Sequence, residues 1–194
     1  MGLLDAFKKK KTKEVNLTLQ LNARLQPLDR GDIYEDPICD ALEASGIGIT
    51  TGGGTMMMES REIEFCDVEI TLNDDSDESM AKLIQIIDSI RVPKGSYLRS
   101  ETFEQPIGTL EGLALYINGT ELPDEVYASC DINHVVEKTN ELLSDSGSMY
   151  SHWEGPKESA IYYYGTSFDE MKAKIEPFLS EYPLCQKCRI EKIA

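Results

Sequence analysis

Residues 15–25 alternate strictly between apolar and polar side chains. The apolar positions in this stretch are Val15, Leu17, Leu19, Leu21, Ala23 and Leu25. A period of two predicts a β-strand that buries one face and leaves the other in contact with water. We therefore expect a sheet with one solvated face near the start of the chain.

A second alternating stretch, residues 62–72, changes phase along its length. Ile63 and Phe65 share one parity, whereas Val68 and Ile70 share the other. A β-bulge near Cys66 would reconcile the two phases.

Helices are predicted on either side of this strand. Residues 36–44 begin beside a proline and stop at Gly46, which is typical of a helix with a glycine after its last residue. Asp75 and Glu78 have the spacing of a capping box that opens a second helix, and Pro93 ends it. With short strands before and after, the order is β-α-β-β-α-β, the ferredoxin-like order.

The second half of the chain has the same order of patterns. Its predicted strands cover residues 110–118, 149–153, 160–164 and 188–193, and its helices begin at Asp131 and Ser167. We therefore predict an α+β protein of two ferredoxin-like βαββαβ repeats, packed as a pseudo-dimer. The expected division is a basic N-terminal tail (1–13), a first repeat (14–100) and a second repeat (101–194).

The charge of the chain limits its partners. The chain has 35 acidic and 19 basic residues, and five of the basic ones are lysines within residues 8–13. From Glu14 onward, 34 acidic residues stand against 14 basic ones, a charge of -20. Such a surface argues against nucleic-acid binding and favours a basic protein partner, although the charge could serve solubility alone.

The sequence also bears on compartment. No apolar run is long enough to span a bilayer, and no secretory signal is evident. The five cysteines are odd in number and irregularly spaced, which predicts a reduced, cytoplasmic protein. Leu3, Leu4 and Phe7 before the lysines allow a short membrane-surface anchor, but a solvated tail is the expected form.

Three consecutive glycines, Gly52, Gly53 and Gly54, form the most conspicuous local motif. A phosphate-binding loop would place such glycines before a helix, usually with a following lysine. Here Thr55 and three methionines follow, and then a strand. A flexible hairpin or a bulge is the expected structure, and a ligand-binding loop is the alternative.

No motif indicates catalysis or a cofactor. Cys185 and Cys188 form a CxxC pair, but zinc needs two further ligands and the chain has only two histidines. His152 and Glu154 share one face of a predicted strand, so an acid–base pair is conceivable there. A packed Trp153 with polar outward neighbours is the more common arrangement. We predict no catalytic residue, metal or cofactor.

Candidate partner-binding residues come from two groups. Four carboxylates follow one predicted strand: Glu62, Glu64, Asp67 and Glu69. Trp153 and Tyr163 belong to an aromatic cluster of the second half, and exposed aromatic side chains of this kind are typical of interface hot spots. The alternatives are a solvated acidic face and an ordinary aromatic core.

These features favour a non-enzymatic, acidic protein-binding module, which exposed sheet edges would also allow to form a homodimer. The alternative is a small-molecule sensor or regulatory domain that holds its ligand between the two lobes; an enzyme using His152 is a third candidate. The opening Met1–Lys10, the stretch Gly52–Met56 and the stretch Glu64–Glu69 resemble small acidic proteins of bacterial toxin–immunity loci. That resemblance implies an immunity protein that neutralises a basic toxin, such as a nuclease.

Overall fold

The computed structural model describes residues 13–194, so the predictions for the N-terminal tail before Lys13 lie outside the described residues. The elements of the first half are β1 (Val15–Leu21), α1 (Pro27–Arg30), a π-helical turn (Gly31–Glu35), α2 (Asp36–Ser45), β2 (Gly48–Met57), β3 (Ile63–Leu72), α3 (Asp77–Ile90), β4 (Ser96–Arg99) and β5 (Glu104–Ile107). These strands form one antiparallel sheet in the order β2-β3-β1-β4-β5.

The second half contains the remaining elements. They are β6 (Glu111–Asn118), α4 (Asp124–Ser129), α5 (Ile132–Leu143), β7 (Gly147–Glu154), β8 (Glu158–Gly165), α6 (Phe168–Glu181), a 3₁₀ helix (Pro183–Cys185) and β9 (Arg189–Lys192). The four strands form a second antiparallel sheet in the order β7-β8-β6-β9.

The strand order confirms the predicted fold class. In each half the first strand lies between the third and the fourth, and the second strand lies at an edge beside the third. That is the arrangement of a ferredoxin-like βαββαβ unit. The first sheet carries one further strand, β5, which pairs with β4. Hydrogen bonding of the first sheet therefore extends past residue 100, and the division between the repeats at that residue stays a prediction.

The helix ends agree with most of the predicted caps. Asp131 and Ser167 each accept a hydrogen bond from a backbone N–H of the first turn that follows, and Gly46 ends α2 with φ 66°. The predicted cap at Asp75 is wrong by one residue. Ser76 is the N-cap of α3, because its hydroxyl accepts the N–H of Ser79 at 3.2 Å.

Pro27 and Gly31 are residues typical of a turn, but the chain from Pro27 begins a continuous helical segment. Pro27 occupies the first position of α1, where its fixed φ favours a helix and its missing N–H costs nothing. The segment then passes through the π-helical turn into α2. The helical path buries Arg30, whose guanidinium forms an ion pair with Glu35 at 2.5 Å.

The apolar faces of the two sheets are buried in different ways. In the first repeat, Leu19 and Val68 lie in a core with Leu42 of α2 and Leu83 of α3. In the second repeat, one face of the sheet packs against α5 and α6. The other face of the second sheet packs against the first repeat, and its tyrosines share the core that contains Tyr34. Both faces of the second sheet are therefore covered. Across residues 13–194, no helix has the length and apolar character needed to cross a membrane.

Candidate partner-binding face

The first sheet has one face that no helix covers. The register of the strands places these residues on it: Asn16, Thr18, Gln20, Ile49, Gly54, Met56, Phe65, Asp67, Glu69, Thr71, Tyr97, Arg99, Glu104 and Pro106. All of these residues are at least partly exposed, in contrast to the buried face that packs on α2 and α3. We call this surface the open face.

A shallow groove of about 280 Å³ crosses the open face. Glu69 and Glu101 line it, and Arg99 is the only basic residue in its lining. The guanidinium of Arg99 donates a hydrogen bond to the side-chain oxygen of Gln20, whose amide donates to Asp67 at 3.2 Å. Within residues 13–194, neither Glu69 nor Glu101 has an ion-pair partner. Among the described residues, the groove therefore holds two carboxylates without an ion pair, and the guanidinium of Arg99 lines it beside them.

Apolar side chains lie at one border of the open face. Ile49 and Met56 are 45% and 49% exposed, and Met57 beside them is 56% exposed. Ile49 and Met56 face the same side of the sheet as Thr71 and Phe65, their register partners on β3. Methionine is flexible and polarizable, so it adapts well to a partner surface.

The residues predicted to bind a partner occupy different environments. Glu64 and Glu69 are exposed, and Asp67 is half-buried on the open face. Trp153 is 9% exposed, and Tyr163 is fully buried in the core of the second repeat, where its hydroxyl lies 2.6 Å from that of Thr139. A partner role for these residues stays a prediction, and the proposal below depends on the exposed ones.

Glu62 lies inside the molecule, at the contact between the repeats, and is 8% exposed. Its Oε2 atom accepts hydrogen bonds from Tyr116 at 2.7 Å and Tyr162 at 2.8 Å, and it forms an ion pair with Arg24 at 2.5 Å. We call these four residues the Glu62 cluster. Arg24 and Glu62 come from the first repeat and the two tyrosines from the second, so the cluster joins the repeats.

The Glu62 cluster is organised around a carboxylate. Burial alone would raise the pKa of Glu62, but the hydrogen bonds from Tyr116 and Tyr162 and the charge of Arg24 outweigh it, and the pKa is lowered. Burial and the hydrogen bond to Glu62 raise the pKa of Tyr116 to about 12. The tyrosines therefore stay protonated as donors while Glu62 is ionised as their acceptor.

The three glycines lie in β2 rather than in a free loop, and the register of β2 with β3 shifts between Thr50 and Gly52. This shift agrees with the bulge that was one of the expected structures. The guanidinium of Arg30 contacts β2, where it donates to the carbonyl of Gly54 at 2.9 Å and to the hydroxyl of Thr55 at 2.7 Å. Gly53 leaves the space in which the Arg30–Glu35 ion pair lies. A ligand role for the glycines stays a prediction.

The variant Gly53→Ala tests this packing. A methyl group at residue 53 would overlap the carbonyl of Asp67 and the carboxylate of Glu35, so either strand pairing or the ion pair must shift. We expect a loss of about 1–3 kcal/mol in the free energy of unfolding, measured by urea denaturation. Gly54→Ala is the matched control, because a methyl group there meets no atom within 4 Å. Equal stabilities of the two variants would contradict the packing argument.

The residues considered for catalysis or metal binding are not brought together. His152 and Glu154 are exposed on β7, and neither lines a cavity described above. Burial raises the pKa of the Cys185 thiol to about 12 and also raises that of Cys188, which makes both poor nucleophiles at neutral pH. In the described part of the chain, no three His, Cys, Asp or Glu side chains are placed to hold a metal ion.

Sequence patterns did not reveal every residue of these sites. Arg24 continues the polar parity of residues 16–22, so it was expected on the solvated face; the strand ends at Leu21, and Arg24 turns into the contact between the repeats. Glu101 lies in an irregular connection that carries no periodic signal. Arg24 stands between Ala23 and Leu25 just past the end of β1. This position is the one sequence feature that could have indicated its buried ion pair with Glu62.

Comparisons with known proteins leave the family open. No family model matches the chain, and a search of curated proteins finds no significant match. Solved structures align along most of its length at low identity. A proposed monooxygenase from Lactobacillus acidophilus NCFM is 11% identical with a TM-score of 0.33, over 94% of this chain and 93% of that chain. The first two RRM domains of a yeast poly(U)-binding protein are 11% identical with a TM-score of 0.25, over 92% of this chain and 99% of that chain.

A third aligned structure is a proposed glycine cleavage system transcriptional repressor. It is 7% identical with a TM-score of 0.30, and the alignment covers 94% of this chain and 96% of that chain. Likenesses as weak as these three carry no argument about function. The assignment of the fold rests on the strand order of the two sheets.

Proposed function

We propose that the protein is a non-enzymatic binding protein whose open face receives a basic protein partner. The observation that carries this proposal is the groove of the open face, where Glu69 and Glu101 have no ion-pair partner within residues 13–194. A lysine or arginine side chain of a partner would supply the missing counter-charge at this place.

The charge of the whole molecule supports a basic partner. The formal net charge is -16, and an acidic field of this size attracts cationic surfaces over distances comparable to the screening length. Electrostatic complementarity of this kind mainly raises the rate of association and selects the partner by sign. The association should accordingly weaken as salt is added.

The apolar border of the open face supports a protein rather than a small cation. Protein interfaces combine an apolar centre with a polar rim, and methionine is enriched in them. Met56, Met57 and Ile49 lie along the edge strand β2 of the same sheet and expose close to half of their surfaces. A small cation would make no use of these three side chains, whereas a protein surface would cover them.

An immunity protein that neutralises a basic toxin is the specific form of this proposal. It is supported by the resemblance of the opening residues and the stretch Glu64–Glu69 to small acidic proteins of toxin–immunity loci. In that form, the captured partner would be an enzyme such as a nuclease, and its activity would fall when the complex forms.

The experiment is a comparison of two charge-matched variants in a pull-down from the source cells at low and at high salt. Glu69→Lys combined with Glu101→Lys replaces the two negative charges of the groove with positive ones. Glu137→Lys combined with Glu181→Lys changes the net charge equally on exposed helix positions without ion pairs within the described residues. We expect a basic partner that the unaltered protein and the helix variant retain at low salt, and that the groove variant binds about tenfold less tightly or worse.

Two results would contradict the proposal. Equal loss of the partner in both variants would show that net charge alone drives the association. Retention of the partner by the groove variant would show that the binding surface lies elsewhere. Titration of the purified partner by calorimetry then gives the affinity of each variant.

A further inference from the structure

Strand β2 is an edge of the first sheet. It pairs with β3 on one side, and no described strand pairs with its other side. Alternate residues of such an edge point their backbone N–H and C=O groups outward, where they can pair with a strand of another chain. Soluble proteins usually protect a long edge with charged side chains or proline. The four edges of the two described sheets differ in this protection.

Three of these edges carry charged residues. Strand β5 has Glu104 and Pro106, β7 ends at Glu154, and three of the four residues of β9 are charged. Strand β2 is ten residues long and contains neither a charged residue nor a proline. Among the edges of the described sheets, β2 therefore lacks both of these protections.

The same strand concentrates exposed apolar side chains. Within residues 13–194, five large apolar side chains are exposed, and three of them, Ile49, Met56 and Met57, belong to β2. The other two, Leu28 and Ile132, lie on separate helices. Exposed apolar side chains that gather on one element indicate a surface that another protein covers.

The absence of charge on β2 determines which partner it fits. A net charge of -16 makes two copies of this chain repel each other, so their backbones can meet most readily along a strand without carboxylates. Asp67 and Glu69 of the open face lie on β3, so pairing of two β2 strands would hold them three strand spacings from their counterparts, about 14 Å. This distance exceeds the screening length of about 8 Å at physiological salt. A basic partner, by contrast, would find its counter-charges in the groove rather than on β2.

The residues of β2 also match themselves in an antiparallel register. A two-fold axis between Gly52 and Gly53 places Ile49 of one copy opposite Met56 of the other, and it does so at both ends of the pair. Residues that lie directly opposite each other in an antiparallel pair share a face of the sheet. Ile49 and Met56 both lie on the open face, so their side chains would meet there.

The register shift between Thr50 and Gly52 is compatible with this match. It is present in both copies, so the two strands stay in step on either side of the axis. A bulge can turn an edge away from pairing, but glycines at the axis supply the backbone freedom to align the strands. No side chains have to fit together at the axis itself.

We propose that two copies of this protein associate through β2, as an antiparallel pair with a two-fold axis between Gly52 and Gly53. The pairing joins two five-stranded sheets into one continuous sheet. The two open faces become one surface, on which Ile49 and Met56 of both copies form an apolar strip between the two grooves. The grooves stay accessible, so this association does not depend on the basic partner proposed above.

The test measures the mass of the full chain in solution by sedimentation at increasing protein concentration. We expect the mass to rise toward that of two chains. Ile49→Glu combined with Met56→Glu places glutamates opposite each other at both ends of the pair, and it should weaken the dimer about tenfold or more. Both of the replaced side chains are exposed, so the fold should be retained.

Leu28→Glu combined with Ile132→Glu is the matched control. It makes the same kind of change at the two exposed apolar side chains outside β2, so the dimer should be retained. Ile49→Lys combined with Met56→Glu tests the register. The lysine of one copy then lies opposite the glutamate of the other, the net charge stays at -16, and the dimer should form again.

Salt separates this association from the binding of a basic partner. Helix α2 packs against β2 and carries the exposed Asp40 and Glu43, so repulsion between the copies remains. Screening reduces this repulsion, and the dimer should tighten about three- to tenfold from low to high sodium chloride. Binding of a basic partner should weaken over the same change.

Three results would overturn the proposal. The first is a chain that stays monomeric at every concentration. The second is a dimer that the double glutamate variant retains, or that the control variant loses to the same extent, because the interface would then lie outside β2. The third is a lysine–glutamate variant that stays monomeric, because opposite charges in the proposed register attract each other.

Discussion

Replacing Glu62 with glutamine should lower the free energy of unfolding by about 3 kcal/mol, because the variant leaves Arg24 without its counter-charge in a largely buried site. Tyr116 and Tyr162 would also lose the carboxylate that accepts both of their hydrogen bonds. The side chain of Arg24 is only 18% exposed, so water restores little of the lost interaction. Urea denaturation at neutral pH measures the change.

The same variant should alter how stability depends on pH. The pKa of Glu62 is lower in the folded protein than its ordinary value of 4.5. Its contribution is therefore complete above that value and is lost as the pH falls through the folded pKa. We expect the difference between the unaltered protein and Glu62→Gln to be constant near neutral pH and to shrink below about pH 4.5.

Glu64→Gln is the control for both measurements. Glu64 is two residues away on the same segment, but it is exposed and has no ion pair within the described residues. Its replacement should change stability by less than about 0.5 kcal/mol at any pH. A Glu62→Gln protein as stable as the Glu64→Gln protein would show that the buried ion pair contributes nothing.

Truncating Tyr164 to alanine should cost about 3–5 kcal/mol, the largest effect expected of a single substitution here. The ring is 2% exposed and belongs to the core shared by both repeats, where it packs against Tyr150 with ring centres 5.0 Å apart. Its hydroxyl accepts the backbone N–H of Arg24 at 2.8 Å. Alanine removes both the ring and this acceptor.

Tyr164→Phe divides the effect into its two parts. Phenylalanine keeps the ring and leaves the N–H of Arg24 without an acceptor, which should cost about 1–2 kcal/mol. Tyr97→Ala on the open face is the control, since that side chain is half-exposed and packs against no helix. If Tyr97→Ala destabilised the protein as much as Tyr164→Ala, the core between the repeats would not be the main stabilising contact.

Local sequence patterns predicted most of the fold because each element has a strong signal of its own. The alternation of residues 15–21 and the caps at Asp131 and Ser167 are fixed by interactions within a few residues. Strand β5 (Glu104–Ile107) was missed because it is short, contains Pro106 and depends on pairing with β4. The helical path after Gln26 brings Arg30 to the carbonyl of Gly54 and the hydroxyl of Thr55, tertiary contacts that no local pattern shows.

The candidate sites were less predictable, because they depend on how the two repeats face each other. Glu62 and Glu64 look alike in sequence, yet one joins the buried cluster and the other meets water. The alternation of residues along the strand predicted which side Tyr163 faces, but it could not predict that helices cover that side.

The unequal covering of the two sheets has an evolutionary consequence. The central strands of the second sheet, β6 and β8, are enclosed on both faces, so almost any substitution there perturbs packing. On the open face, side chains such as Glu69 and Glu104 can change with little effect on folding. Substitutions on the open face therefore lower the stability of the fold least. A lineage of such proteins could acquire new partners there, residue by residue, while the scaffold beneath stayed the same.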